Sequence, residues 1–158
     1  MLRLEPRTRD EVKSTIESMD NETRAMISAD WWSKFQASAY RDPCVHGFNL
    51  FLADGTNVGI GSFKGPPVDG AVEIAYAIVP QHQGRGYATA AARAMTEYAF
   101  KSAEVRIVRA HTLPDGAASQ RVLLKSGFTQ VGEHLDPEDG LVWRFELSKS
   151  QGQTPRLD

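Results

Sequence analysis

The stretch from Glu73 to Thr89, EIAYAIVPQHQGRGYAT, constrains this chain more than any other. Val72 to Val79 is rich in residues that suit a pleated surface and reads as a strand, which Pro80 ends because proline has no N–H to give to a sheet ladder. Gln83-Gly84-Arg85-Gly86 is a glycine-bearing loop, and Tyr87-Ala88-Thr89-Ala90-Ala91-Ala92 reads as the first turns of a helix. A strand, a glycine loop and a helix N-terminus together make an anion site. The first N–H groups of a helix lack internal partners and carry partial positive charge, and glycines let a phosphate come close to the backbone. Two phosphate motifs are excluded: the chain has no G-x-x-x-x-G-K-[ST], and Gly84-Arg85-Gly86-Tyr87-Ala88-Thr89 lacks the third glycine of the dinucleotide fingerprint. From these residues alone, a phosphate site and a ligand-free strand-to-helix turn are both open.

Gln83-Gly84-Arg85-Gly86-Tyr87-Ala88 matches the Q/R-x-x-G-x-G/A signature, and in this the chain resembles the GNAT superfamily of acetyl-CoA-dependent N-acetyltransferases. Two further segments are similar to the branch that contains the ribosomal-protein N-terminal acetyltransferases. Ser119-Gln120-Arg121-Val122-Leu123-Leu124-Lys125-Ser126-Gly127-Phe128 follows S-x-R-V-L-x-K-x-G-F, and Glu73-Ile74-Ala75-Tyr76-Ala77-Ile78 follows E-I-G-Y-W-I. The resemblance covers roughly the C-terminal half, with the motifs in the family's order and spacing.

The resemblance implies a fold of the α/β (α+β) class: a mixed, mostly antiparallel sheet of six to seven strands with helices on both faces. It also implies that the strand before the phosphate loop splays from its neighbour and lodges the pantetheine arm of acetyl-CoA. By position, the backbone of Tyr76, Ala77 and Ile78 would face that arm. Gln83, Gly84, Arg85, Gly86, Tyr87, Ala88 and Thr89 would hold the pyrophosphate, and the N–H near Ile78 would polarise the thioester carbonyl.

Acyl transfer to an amine needs a neutral nucleophile and a proton for the departing thiolate. Glu73 is the first candidate base, since alternation puts it on one strand face with Ala75 and Ala77. His111, on the following strand, is the second, with an unperturbed pKa of about 6.5. Each has a plain structural alternative, Glu73 as a fixer of neighbouring backbone and His111 as a core histidine. The resemblance places Ser119 against the CoA sulfur, and its alternative is bonding backbone at a helix start. The chain departs from the family pattern at two points. Leu123 stands where many members have a tyrosine acid, and Gly116 where an asparagine is usual.

With 158 residues, 41% hydrophobic and 24% charged, the chain suits one domain with its own core, expected over 1–147, followed by a polar, mobile tail over 148–158. A net charge of −2 gives no footprint for nucleic acid, and no apolar run approaches the roughly 18 residues that cross a bilayer. Cytoplasmic location is the default, as monomer or homodimer. Cys44 is the only cysteine and the four histidines show no metal-ligand pairing, so no metal is expected.

Ahead of the strand, Leu2 and Leu4 alternate with polar residues in a short strand, and Thr8-Arg9-Asp10-Glu11 has the form of a capping box before an apolar stripe of Val12, Ile16 and Met19. Asn21 to Tyr40 reads as helical with a break near Ser28 to Asp30, and Trp31 and Trp32 on it are candidates for the acceptor pocket or for plain cover of the sheet edge. His46 to Ala53 and Val58 to Phe63 form a hairpin about Asp54-Gly55. After the phosphate loop come a helix to about Ser102 with Ala91, Met95 and Tyr98 on one face, a strand from Val105 to Thr112, and a helix from Ala117 stopped by Gly127. A closing hairpin of Phe128 to His134 and Leu141 to Leu147 follows. The expected activity is acetyl transfer from acetyl-CoA to a primary amine, a peptide or protein α-amine first. A small-molecule amine is the alternative acceptor, and a non-catalytic acyl-CoA-binding module the rival from another class.

Overall fold

The computed structural model describes residues 2–149. Its strands are β1 (Arg3–Pro6), β2 (Phe48–Phe51), β3 (Asn57–Phe63), β4 (Ala71–Ile78), β5 (Ile107–Thr112), β6 (Thr129–Asp136) and β7 (Gly140–Ser148), and its helices are α1 (Arg9–Glu17), α2 (Asn21–Ala25), α3 (Ala29–Ala37), α4 (Pro43–His46), α5 (Tyr87–Phe100) and α6 (Ala117–Lys125). The strands form one seven-stranded sheet in the order β1-β2-β3-β4-β5-β7-β6. Only β4 and β5 run parallel, because the chain between them crosses over through α5 instead of turning back in a hairpin.

Helix starts follow local chemistry. Thr8 caps α1 with its hydroxyl on the Glu11 N–H at 3.1 Å, while Glu11 reaches back to the Thr8 N–H. Asp20 and Ser28 cap α2 and α3, so the break expected near Ser28 is a new N-terminus. Sequence reasoning missed α4 and began β2 two residues early. Asp42 accepts the Cys44 N–H at 3.1 Å and Pro43 occupies the first turn, a start signal that the strand reading passed over.

One face of the sheet carries α5 and α6. Phe48, Phe63, Val72, Ile74, Met95, Val108, Leu123 and Phe145 form its core, and burying each of these large side chains contributes about 1.5–3 kcal/mol. Tyr98 was expected inside this face but is 38% exposed, in an edge contact with Phe48 and a tilted one with Phe63, and Ala92 and Ala99 complete the buried stripe instead. On the opposite face Asn49 of β2 donates to Glu11 of α1 at 2.9 Å. There Val12, Ile16 and Phe35 make a separate cluster. The tail expected to be mobile lies, beyond Lys149, outside the described residues. No helix among the described residues is long and apolar enough to cross a membrane.

Where β4 and β5 meet, pairing is brief. Ala71, Val72 and Glu73 pair with Ile107, Val108 and Arg109, and there the ladder stops. Yet β4 stays paired with β3 as far as Ile78, and β5 with β7 as far as Thr112. The two strands therefore part at Ile74 and Ala110, opening a gap in the middle of the sheet.

Candidate active site

The edge of β4 that faces this gap is fixed by hydrogen-bond alternation. The Glu73 carbonyl accepts from Lys64 on the β3 side, and the Val79 N–H donates to Val58 on the same side. Odd-numbered residues thus spend their backbone groups on β3, and those of Ile74, Tyr76 and Ile78 turn to the side where β5 has parted. The Ile78 carbonyl is taken by the Gln83 side-chain amide at 2.9 Å, which ties the loop to the end of the strand. This use of Gln83 is a brace within the loop.

The loop passes through a short turn at Pro80–His82 into α5. Gly84 and Gly86 have φ of 78° and 84°, in the left-handed region that a side chain disfavours. A Cβ built on either would meet no heavy atom within 4 Å. Gly86 is the N-cap of α5 and no side chain caps that end, so the first amides of the 14-residue helix point outward with its partial positive charge. The cavity over them, about 590 Å³, is lined by Tyr76, Ala77 and Ile78, by His82, Gln83, Gly84 and Gly86, by Tyr87, Ala88 and Thr89, and by Ser119, Arg121, Val122 and Lys125 of α6. Arg85 is exposed and outside this lining. Arg121 and Lys125 bring the charge instead, and their i, i+4 spacing on one helix face was the signal available in sequence.

A second, smaller cavity of about 120 Å³ sits in the gap and is lined by Lys64, Glu73, Ile74, Ala75, Tyr76, Ala110, His111, Thr112, Ser119 and Leu123. Tyr76 and Ser119 belong to both cavities, so the two meet there. Burial pushes the Tyr76 hydroxyl up to about 12, so it stays protonated. Ser119 lies in the first turn of α6, but the N-cap is Gly116 and no side chain caps that helix. The capping alternative for Ser119 therefore has no bond behind it. Thr112, which sequence reasoning did not single out, has its hydroxyl oxygen buried without a partner among the described residues, at the wall of the small cavity. Leu123 is 1% exposed and fills the wall where a tyrosine was absent from the motif.

Glu73 and His111 do come together. The Glu73 carboxylate accepts from His111 Nδ1 at 3.0 Å and pairs with Lys64 Nζ at 3.1 Å. Burial opposes its charge, but the hydrogen bonds from His111 and Lys64 and the Lys64 charge outweigh that and hold its carboxyl below the ordinary value. His111 Nε2 in turn accepts from Arg144 Nε at 3.0 Å, and the His134 ring stacks on His111 at 5.3 Å between centroids. With Nδ1–H given to Glu73 and the Nε2 lone pair taken by a guanidinium, His111 has no site left for a substrate proton. Its ring braces the Glu73 carboxylate against Arg144. Lys64 and Arg144 were invisible as site residues because β3 and β7 deliver them by register: His111 lies opposite Arg144 and Ile74 opposite Phe63, the neighbour of Lys64.

Trp31 and Trp32 line neither cavity. Trp31 stacks on Phe35 at 5.3 Å within the α1–α3 cluster, and Trp32 is 39% exposed beside the same ring. Among the described residues no group of His, Cys, Asp or Glu is arranged to hold a metal ion.

A family profile described as Acetyltransferase (GNAT) domain matches residues 2–129. The chain belongs to the GNAT acetyltransferases. Among curated proteins, this GNAT chain is 36% identical over 104 residues to the probable N-acetyltransferase YjcK of Bacillus subtilis (strain 168), a match covering 63% of the chain and 56% of that protein. It is 37% identical over 60 residues to the uncharacterized N-acetyltransferase YnaD of the same strain, covering 38% and 35%. These matches span between about a third and just over half of the relatives' own length. Among solved structures, AAC(6')-Ib in complex with paromomycin and acetyl-CoA superposes with a TM-score of 0.72 at 19% identity, covering 99% of this chain and 98% of that one. The spermidine N-acetyltransferase from Vibrio cholerae in complex with CoA and spermine gives 0.70 at 16% identity, covering 96% and 97%. At such identities the likeness is one of fold.

Proposed function

We propose that this protein transfers the acetyl group of acetyl-CoA to an α-amine, on a peptide or a small molecule. The observation that carries the reading is the junction at Tyr76 and Ser119, where a cleft headed by a helix N-terminus opens onto a small cavity holding the Glu73 carboxylate.

The cleft suits an acyl-CoA in three ways. Ile74, Tyr76 and the Ile78 N–H present open backbone groups to a chain laid in the gap, the glycine cradle at 84 and 86 leaves space where a Cβ would sit, and Arg121 and Lys125 face the phosphates across the cleft. Each residue then has a task. Glu73, anionic and held by His111, draws the acceptor's ammonium into the gap and takes a proton from it, directly or through water. The Ile78 N–H donates to the thioester oxygen as charge gathers there. The nitrogen–carbon bond forms and the carbon–sulfur bond breaks. Ser119 donates a hydrogen bond to the departing sulfur, which keeps the pair of electrons and receives a proton from solvent, since Leu123 offers none.

The segment Ser119 to Phe128, similar to that of the ribosomal-protein N-terminal acetyltransferases, favours an α-amine on a peptide. The structural neighbours named for aminoglycosides and spermidine favour a small-molecule amine as the second reading. Release of CoA thiol over a panel of free-N-terminal peptides, amino acids, polyamines and aminoglycosides, with product masses, tests the proposal. Binding of acetyl-CoA with no amine turned over would make the protein a binding module instead.

A further inference from the structure

The acceptor side of Glu73 holds one cation more than its carboxylates employ. Lys64 is paired with Glu73, and Arg109 with Glu146 at 2.7 Å. Arg144, partly buried on β7 across the His111 ring from Glu73, spends its Nε on an uncharged ring nitrogen of His111, and no carboxylate among the described residues lies within ion-pair distance of it. Its terminal nitrogens donate to no other described group. A guanidinium is a planar fork of donors that matches a carboxylate. Asp136, on the β6–β7 turn within electrostatic reach of Lys64 and His134, accepts from the Glu138 and Asp139 amides at 2.8 and 2.9 Å and does not pair with Arg144.

We propose that Arg144 receives a carboxylate of the acceptor, so that the amine brought to Glu73 belongs to a molecule with an acidic group a few bonds away. A free amino acid and a peptide beginning with an acidic residue both have this chemistry. The proposal rests on the acetyltransferase reading above. Glu73 and Arg144 are separated by one imidazole ring, hydrogen-bonded at 3.0 Å on either side. An amine and a carboxylate on the same residue, each with one hydrogen bond to the protein, bridge such a span. When the ammonium takes the place of Lys64, whose side chain is half exposed, Lys64 turns toward Asp136 and no charge is stranded. Arg144 then gains a forked, charge-assisted pair in a partly desolvated setting. A polyamine offers Arg144 no partner and adds repulsion.

The test is kcat/KM with acetyl-CoA for two matched pairs: a peptide starting with glutamate against one starting with glutamine, and a free amino acid against its amide, with spermidine as a polycation arm. The wild-type protein should favour the carboxylate member of at least one pair by about 10-fold, the worth of one good charge-assisted contact. A preference in the peptide pair alone identifies an acidic N-terminus as the source, and one in the amino-acid pair alone a free amino acid. In Arg144→Gln the ratio should fall to about one, whatever the change in absolute rate, and Arg144→Lys, which keeps charge without the fork, should retain part of it. Wild-type turnover of both neutral members at kcat/KM equal to or higher than their carboxylate partners, or of spermidine at kcat/KM equal to or higher than every carboxylate member, overturns the proposal, as does an unchanged ratio in Arg144→Gln. Absence of turnover with every amine, with acetyl-CoA still bound, sinks the acetyltransferase reading itself. In that case, or if the variants do not fold, equilibrium binding of the same pairs to the wild-type protein decides, and equal Kd for both members overturns the proposal.

Discussion

Replacing Gly86 by valine separates the fold from the ligand. Gly86 sits at φ 84° with no heavy atom within 4 Å of where a Cβ would go, so the main cost of the substitution is the left-handed backbone, about 1–2 kcal/mol. For a chain of this size about 1 kcal/mol moves Tm by roughly 2–4 °C, so the free protein should melt about 2–8 °C lower. The open space is the cleft itself, and a valine there blocks approach to the first amides of α5. At 100 times Kd a ligand adds about 2.7 kcal/mol, so acetyl-CoA should raise the wild-type Tm by roughly 5–11 °C, and Gly86→Val should lose that rise. Gly55, at φ 89° and equally open, lies in the β2–β3 turn and outside the cleft lining. Gly55→Val should therefore show a similar drop in the free protein and the full rise with ligand. Thermal melts of the three proteins with and without acetyl-CoA make the comparison. A full rise in Gly86→Val, or its loss in Gly55→Val, would refute the placement of the phosphate site.

Ser119→Ala should lower kcat by roughly 10- to 100-fold with Kd for CoA nearly unchanged, and equal kcat would remove the hydroxyl from the transfer step. Glu73→Gln should depress kcat/KM most at low pH and least near pH 9, where an α-amine is already neutral; a pH-independent loss means that Glu73 binds the acceptor without taking its proton. Away from the site, His46 is 3% exposed, with Nε2 on the Ser38 hydroxyl at 2.9 Å and Nδ1 accepting the Asp42 N–H at 3.2 Å. Burial chiefly holds its pKa below the ordinary value, so the unfolded chain binds the proton more readily. Its contribution to stability is whole above about pH 6.5 and is lost as pH falls below it, toward the lower folded value. The Tm of the wild-type protein should thus drop between pH 7 and 5 more steeply than that of His46→Gln, and parallel profiles would exclude His46 as the source.

How far the sequence could be read depends on the range of the forces involved. Thr8, Ser28 and Gly127 announce helix ends because capping is settled within four residues, and Gly127 duly has φ 96°. The strand, loop and helix of residues 72–100 are legible for the same reason. The parting of β4 from β5 was expected only through the family resemblance, since nothing in Ile74 or Ala110 marks where a ladder stops; that is decided by what packs on both strands. Glu73 and His111 could each be named as candidate bases from their own strands, whereas their pairing, and the arrival of Lys64 and Arg144, follow only from cross-strand register. That register also changes the reading of His111, because Arg144 occupies the nitrogen a base would need. Trp31 and Trp32 show the converse: an aromatic face found its partner in Phe35, within its own helix.

Acetyl transfer at pH 7 to two matched peptides, one with a free N-terminus and no lysine and the other N-blocked with one lysine, tests the central claim most directly. Freeing a lysine amine, of pKa about 10.4, costs about 4.6 kcal/mol at that pH, against about 1 kcal/mol for an α-amine at about 7.7–8.0. With Leu123 in place of a tyrosine acid and His111 occupied on both nitrogens, only the Glu73 carboxylate is left to offset that cost, and its pKa is held low. The account predicts kcat/KM at least about 100-fold higher for the free N-terminus, with Glu73→Gln slowing it. Equal or faster acetylation of the blocked lysine peptide would contradict it.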